Sequence, residues 1–149
     1  MTLKKLSLAL LACLTLTACG GVDPNSPLGK RQAIFKQMLK TSEDFGGMLR
    51  GRIPFDGARF TAGAIKLDSL SQQPWQHFPQ VKETDKTSAK PEVWESQARF
   101  QELARQLEGA TAALVVATTQ QPLDPVKLGP PVQAVEDACE TCHKAFRTH

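Results

Sequence analysis

The stretch that decides the fold is Cys139-Glu140-Thr141-Cys142-His143. Cys-x-x-Cys-His is the attachment signature of a c-type haem. Residues three and four apart lie on one face of a helix, so Cys139, Cys142 and His143 project together. Two thiols in this arrangement can form thioethers with one porphyrin, and the imidazole can ligate its iron. The stretch therefore predicts a covalent haem c on a helix, attached through Cys139 and Cys142 with His143 as the proximal ligand.

Other uses of two cysteines and a histidine fit this stretch less well. A zinc site needs four ligands, whereas the motif supplies three. The other histidines, His77 and His149, do not stand at zinc-finger spacing. A thioredoxin-like redox pair needs a βαβ setting, and the sequence contains no convincing strands. A disulfide between Cys139 and Cys142 would strain the helix.

The sequence before the motif carries helical periodicity in four segments separated by turn residues. The segments run from about 28 to 50, from 56 to 71, from 91 to 118 and from 124 to the motif. Asp56 and Asp124-Pro125 are predicted helix starts, and Pro91 suits a first helical turn. We expect fraying or a bend at Gly46-Gly47 and a break or kink at Gly129-Pro130-Pro131. The pattern predicts an all-α, antiparallel four-helix bundle with the haem motif on the inward face of its last helix.

The amino terminus is typical of an exported protein. Two lysines precede an apolar stretch of residues 6–17, which is too short to span a bilayer as a helix. Leu16-Thr17-Ala18-Cys19 resembles the lipobox of bacterial lipoproteins, although an ordinary signal peptide remains the alternative. We therefore predict a lipoprotein signal peptide at 1–18, a lipidated tether at 19–28 that begins with Cys19, and a bundle domain at 29–149. Two or more acyl chains on Cys19 would anchor the protein stably to a membrane.

Processing before Cys19 also accounts for the cysteines and the charge. Cys13 would leave with the signal peptide, Cys19 would carry lipid, and the remaining two cysteines would carry haem, so no disulfide framework is expected. Removing 18 of the 149 residues leaves 131, enough for one domain. The 18 basic side chains fall to 16 against 15 acidic ones, so charge does not point to a nucleic-acid partner.

A carboxyl-terminal haem motif on a bundle of this size resembles cytochrome c′, the high-spin class II cytochromes c. The resemblance extends over most of the mature chain, from about Lys30 to Arg147. Its other matching pieces are Arg31-Gln32, Pro74-Trp75 with Phe78, and Lys90-Pro91-Glu92-Val93-Trp94.

The resemblance implies residues around the haem propionates. Arg31 and Gln32 match an Arg-Gln pair that approaches the propionates, and a guanidinium pairs well with carboxylates. Alternatively, Arg31 is one more solvated surface charge. Thr84 and Asp85 match a loop that borders the haem in the family, although the loop is longer here.

The resemblance also assigns residues to the two faces of the iron. Phe35 stands at the position over the open distal face, where a phenyl ring can neither ligate iron nor donate a conventional hydrogen bond; it can equally serve as bundle core. Arg147 would lie near the proximal imidazole, or it is a cation suited to a helix C-terminus. Met38 is the candidate sixth ligand of a low-spin alternative, although a methionine at helical spacing is usually core.

The resemblance implies a five-coordinate haem protein that binds NO and CO and carries single electrons. It implies that the protein is not an enzyme, although a slow NO-removing activity is possible. We expect it to be anchored by lipid and to face the bacterial periplasm, in NO sequestration or detoxification, with an unidentified redox partner protein. Dimerisation through the first two helices is common in the family. The alternatives are a low-spin electron carrier with Met38 as distal ligand, and an adaptor lipoprotein in which haem is structural.

Overall fold

The structure is a computed structural model that describes residues 21–79 and 87–148. The predicted signal peptide, Cys19, Thr84 and Asp85 lie outside these residues. The helices are α1 (Pro27–Leu49), α2 (Gly57–Ser71), α3 (Glu92–Glu95), α4 (Gln97–Ala117) and α5 (Pro125–Phe146), with a 3₁₀ turn at Trp75–His77. The described residues contain one isolated β-bridge, Ala89 with Arg147, and no strand. None of the described helices combines the length and apolarity that crossing a membrane requires.

The four long helices pack in a ring, which confirms the predicted bundle. Helix α1 packs on α2 and α5, and α4 packs on the same two helices. The connection between α2 and α3 is the long one, as the sequence indicates. The start of α1 at Pro27 and the end of α5 at Phe146 lie at the same end of the bundle, which we call the haem end.

Buried side chains form two clusters. The main core draws on all four long helices, and its members are Ile34, Met38, Phe45, Met48, Phe60, Ala64, Leu67, Leu70, Leu107, Leu114, Leu128, Val132 and Val135. The aromatic cluster lies at the haem end and consists of Val93, Phe100, Leu103 and Phe146, with Phe78 and Trp94 packed against it.

Side-chain caps begin three of the long helices. Asp56 accepts a hydrogen bond from the Arg59 amide at 3.0 Å, and Asp124 accepts one from the Val126 amide at 2.9 Å. Both caps stand where the sequence predicts them, and each satisfies an amide that has no partner inside the helix. Ser26 caps α1 in the same way.

Helix α1 begins at Pro27, one residue before the start predicted at about residue 28. Ser26 is its cap, Pro27 occupies its first turn and Leu28 is buried. The preceding residues form a turn in which the Ser26 amide donates to the Asp23 carbonyl at 3.1 Å. Pro27 and Leu28, at the end of the predicted tether, are therefore helical.

The expected fraying at Gly46-Gly47 does not occur. Helix α1 continues to Leu49, because Phe45 and Met48 on either side of the glycines are buried in the main core. A Cβ on Gly47 would lie 3.2 Å from the Ile53 side chain, so the glycine allows the following loop to pack closely.

The third predicted segment is wrong in one respect, because it is two helices. Ser96 has φ −122° and ψ 50°, which ends α3 before α4 begins at Gln97. Gln97, the first residue of α4, is exposed. Pro91 precedes α3 as its cap residue instead of lying inside it.

Of the expected break or kink at Gly129-Pro130-Pro131, the break does not occur, since α5 runs from Pro125 to Phe146 without interruption. Prolines at these positions deprive the carbonyls of Val126 and Lys127 of their helical donors. Both residues are exposed in the first turn, where water can take the place of the missing donors.

Candidate haem site

The two motif cysteines lie at the junction of the two clusters. Cys139 packs against the main core and Cys142 against the aromatic cluster, and both are half-buried free thiols. Burial raises the pKa of Cys139 to about 11, to which nearby Cys142 and Glu136 contribute, and burial also raises the pKa of Cys142. Burial thus shifts both pKa values in the direction opposite to that found in redox pairs of the thioredoxin kind.

His143 follows Cys142 on α5 and leaves its imidazole accessible. Burial of part of the side chain and the positive charge of Arg147 lower the pKa of His143. A lowered pKa favours the neutral imidazole, which is the form that ligates a metal. Arg147 is exposed, and its amide donates to the His143 carbonyl at 3.0 Å.

This donor set fits a c-type haem. Two thiols and one imidazole stand at the required spacing on one helix, beside aromatic and aliphatic side chains that can cover a porphyrin. Among the described residues, no three His, Cys, Asp or Glu side chains are grouped closely enough to hold a metal ion by themselves. The zinc alternative therefore has no support within the described part of the chain.

The chain beyond His143 is fastened to the end of the α2–α3 connection. The amide of Lys90 donates to the Phe146 carbonyl at 2.9 Å, and the amide of Thr148 donates to the Ser88 carbonyl at 2.8 Å. The Lys90 ammonium group also donates to the Lys144 carbonyl at 2.9 Å. These bonds hold the carboxyl end of the haem helix against residues 87–90.

Arg31 is buried at the same end of the bundle, with 3% of its surface exposed. Its guanidinium donates to the His77 carbonyl and to the Thr87 hydroxyl, both at 3.0 Å, and lies 4.4 Å from the centre of the Phe78 ring. The surface-charge interpretation of Arg31 is therefore wrong. Arg31 therefore bonds α1 to both described ends of the α2–α3 connection. Thr87 in turn accepts a hydrogen bond from the Ala89 amide at 3.1 Å.

Phe35 lies one turn after Arg31 and is half-buried against the main core. Its ring meets Trp75 edge to face, with centroids 6.1 Å apart. Met38 is 5% exposed and belongs to the main core, which is the usual location for a methionine at helical spacing. Gln32 is exposed on α1.

The sequence assigns no function to three residues near the site, which are Trp75, Thr87 and Glu108. Trp75 donates from its indole nitrogen to Glu108 Oε1 at 2.8 Å, and Thr87 links Arg31 to the last connection residues. Pro74-Trp75 was one of the matching pieces, which marks the tryptophan but not its partner. Glu108 lies 33 residues away on α4. In the helical pattern it is one polar residue among several, so the sequence does not identify it as the partner of Trp75.

Comparison with known proteins places most of the chain within one family. The family model described as Cytochrome C' matches residues 26–147. A curated cytochrome c' of Rhodopseudomonas palustris is 30% identical over 145 residues, which cover 96% of this chain and 97% of that protein.

Two solved structures share the fold along nearly their whole length. Cytochrome c prime from Shewanella frigidimarina superposes with a TM-score of 0.78 at 26% identity, over 87% of this chain and 99% of that chain. Cytochrome c prime from Alcaligenes xylosoxidans has a TM-score of 0.75 at 26% identity, over 87% of this chain and 98% of that chain. The latter is the nitric oxide complex of a leucine-to-alanine variant, and a leucine-to-glycine variant of the same protein is solved with carbon monoxide bound.

Proposed function

The chain belongs to the cytochrome c′ family, whose members carry one covalently attached haem c, and from this premise we propose that it is a lipid-anchored periplasmic protein that binds NO and CO. With haem bound, His143 would be the one axial ligand from the protein, and the iron would also carry single electrons. The NO and CO complexes of the Alcaligenes xylosoxidans relative support gas binding. The physiological role that fits best is sequestration or removal of NO.

The residues divide the work of holding the haem. Cys139 and Cys142 supply the two thioether sulfurs, and His143 supplies the proximal imidazole. The haem, when bound, supplies an iron that takes up a diatomic ligand or one electron. Arg31 and Gln32 are assigned to the propionate edge, and Thr84 and Asp85, outside the described residues, to the loop that borders the haem.

The observation that carries the proposal is the location of Phe35. Helices α1 and α5 pack together, and Phe35 on α1 and Cys139 on α5 border the same main core. A phenyl ring offers no ligand to iron and no conventional hydrogen-bond donor to a bound gas. Bound oxygen gains nothing from such surroundings, whereas uncharged NO needs no polar partner.

The Phe35 assignment is tested by CO titration of the ferrous holoprotein. Phe35→Ala is expected to raise CO affinity about tenfold or more, since relief of overpacking is worth about 1–3 kcal/mol. Leu39→Ala is the matched control, because Leu39 lies on the same helix and is 60% exposed. Equal CO affinities for Phe35→Ala and the wild type would contradict the distal role of Phe35.

The proposed anchor is close in sequence to the haem end of the bundle. The described chain enters α1 at Ser26, at the haem end, where Arg31, Thr87 and the carboxyl end of α5 are linked. About seven residues separate Cys19 from that cap, which limits the separation to roughly 25 Å even for an extended chain. Lipid on Cys19 would therefore hold the haem end close to the membrane surface.

Anchoring is tested by replacing the proposed lipidation residue. Cys19→Ser is expected to abolish partitioning of the mature protein into a detergent-rich phase and incorporation of labelled palmitate. Haem content serves as the internal control, because covalent attachment at Cys139 and Cys142 does not involve Cys19. Undiminished labelling and partitioning of Cys19→Ser would show that another feature anchors the protein.

A further inference from the structure

Trp75 joins the two buried clusters beside the proposed distal face. It lies in the 3₁₀ turn after α2, is half-buried and packs against both the main core and the aromatic cluster. Its ring stands edge to face against Phe35 at 6.1 Å and 67°, and against Phe100 at 5.8 Å and 83°. Edge-to-face pairs of this kind have a preferred geometry, so the position of one ring restrains the other.

Glu108 on α4 fixes the indole. The Trp75 Nε1–H donates to Glu108 Oε1 at 2.8 Å, which is a hydrogen bond to a charged acceptor and among the stronger kinds in proteins. Trp75 therefore has a fixed point on α4 in addition to its ring contacts.

The backbone that carries Glu108 is itself held in place. The fully buried hydroxyl of Thr111 lies 3.0 Å from the Glu108 carbonyl and 2.9 Å from Asp68 Oδ1 on α2. The Ser71 hydroxyl, also fully buried, lies 3.0 Å from that of Thr111. This polar network ties α4 to the end of α2, from which the Trp75 turn continues.

We propose that Trp75, held by Glu108, is a positioning residue that keeps Phe35 in place over the iron and so sets how fast a diatomic ligand enters. This inference rests on the proposed function, in which Phe35 covers the open iron face. Neither Trp75 nor Glu108 touches the ligand; both act through the Phe35 ring. Loss of the indole hydrogen bond lets Trp75 shift, and Phe35 then has room to move aside.

The test compares CO association rates of ferrous holoprotein variants at position 108. Glu108→Leu is expected to accelerate CO association roughly 3- to 10-fold, within the range that coupling between contacting residues produces. Glu108→Gln keeps an acceptor for the indole and is expected to stay within about twofold of the wild-type rate. Glu102→Leu is the matched control, because Glu102 lies on the same helix but pairs with Arg99 in solvent and is expected to change nothing.

A second variant and a double-mutant cycle complete the test. Trp75→Phe keeps an aromatic ring but loses the N–H, and it replaces Glu108→Leu if that protein fails to fold. In a Phe35→Ala background, Glu108→Leu and Trp75→Phe are expected to have no further effect on the rate, because the ring they position is gone.

The outcomes separate the inference from the function on which it rests. If Phe35→Ala accelerates CO association but Glu108→Leu and Trp75→Phe do not, the positioning role of Trp75 is overturned and the proposed function stands. If Glu108→Leu acts equally with and without Phe35, the inference is likewise overturned. If Phe35→Ala itself leaves the rate unchanged, the distal role of Phe35 fails, and the inference fails with it.

Discussion

The main core and the aromatic cluster are built in different ways. The main core joins long helices through side chains repeated every three or four residues, and its members include Phe60 and Leu114, both fully buried. The aromatic cluster joins short segments: α3, the start of α4 and the finish of α5. Its surroundings depend on single hydrogen bonds from side chains to loop backbone, such as the Trp94 indole donating to the Pro79 carbonyl at 2.8 Å.

The difference separates stability from function. Nonpolar packing in the main core supports the bundle whatever the haem end contains, because burial is roughly proportional to area and is not directional. At the haem end, directional bonds from Arg31, Trp75 and Lys90 decide where the connection and the carboxyl end lie. Substitutions in the two regions should therefore change different measured quantities.

The largest expected effect is at the junction of the two regions. The double variant Cys139→Ser, Cys142→Ser is expected to lose all covalent haem, because no other described thiol remains to form a thioether. Haem staining after denaturing electrophoresis measures the covalently attached haem. Thr141→Ala, inside the same motif, is the control and should keep its haem. A stained band from the double variant would mean that haem is attached elsewhere.

A substitution in the main core is expected to change stability strongly and ligand binding only slightly. Phe60→Ala is expected to lower the free energy of unfolding by about 3–5 kcal/mol, because the ring is fully buried between Phe45 and Phe55. CO affinity of the folded holoprotein should change less than threefold. Ile65→Ala on the same helix is the control, since Ile65 is 56% exposed and should cost under about 0.5 kcal/mol. A tenfold change in CO affinity for Phe60→Ala would break the separation of the two regions.

The smallest effect concerns the link between Arg31 and the connection. Thr87→Val removes the acceptor of the Arg31 and Ala89 hydrogen bonds and is expected to lower the free energy of unfolding by about 1–3 kcal/mol. Amide exchange should accelerate most at Lys90 and Thr148, which bond across this link. Thr87→Ser keeps the hydroxyl and should behave as the wild type. Unchanged exchange at both amides would show that Thr87 does not fix the carboxyl end.

The sequence predicted the bundle because periodicity reports which helix face is buried. It predicted the Asp56 and Asp124 caps because a carboxylate before a helix acts locally. It did not predict the end of α3 at Ser96, and it predicted a break at Gly129-Pro130-Pro131, where the carbonyls left without donors lie in the exposed first turn of α5.

The haem motif was readable for the same local reason, since three side chains at fixed spacing define it. The partners of Arg31 and Trp75 were not readable. Thr87 lies 56 residues from Arg31, and Glu108 lies 33 residues from Trp75. The periodicity of hydrophobic residues does not indicate either pairing. The fold thus follows from repeated short-range patterns, whereas the surroundings of the site follow from individual long-range bonds.

The absorption spectrum of the ligand-free ferrous protein shows whether the iron has an open coordination position. We predict the broad visible spectrum of a five-coordinate haem and a new spectrum on addition of NO. Met38→Leu should leave the spectrum of the folded protein unchanged. A sharp six-coordinate α band before any ligand is added, lost in Met38→Leu, would contradict the open iron site and support the low-spin alternative.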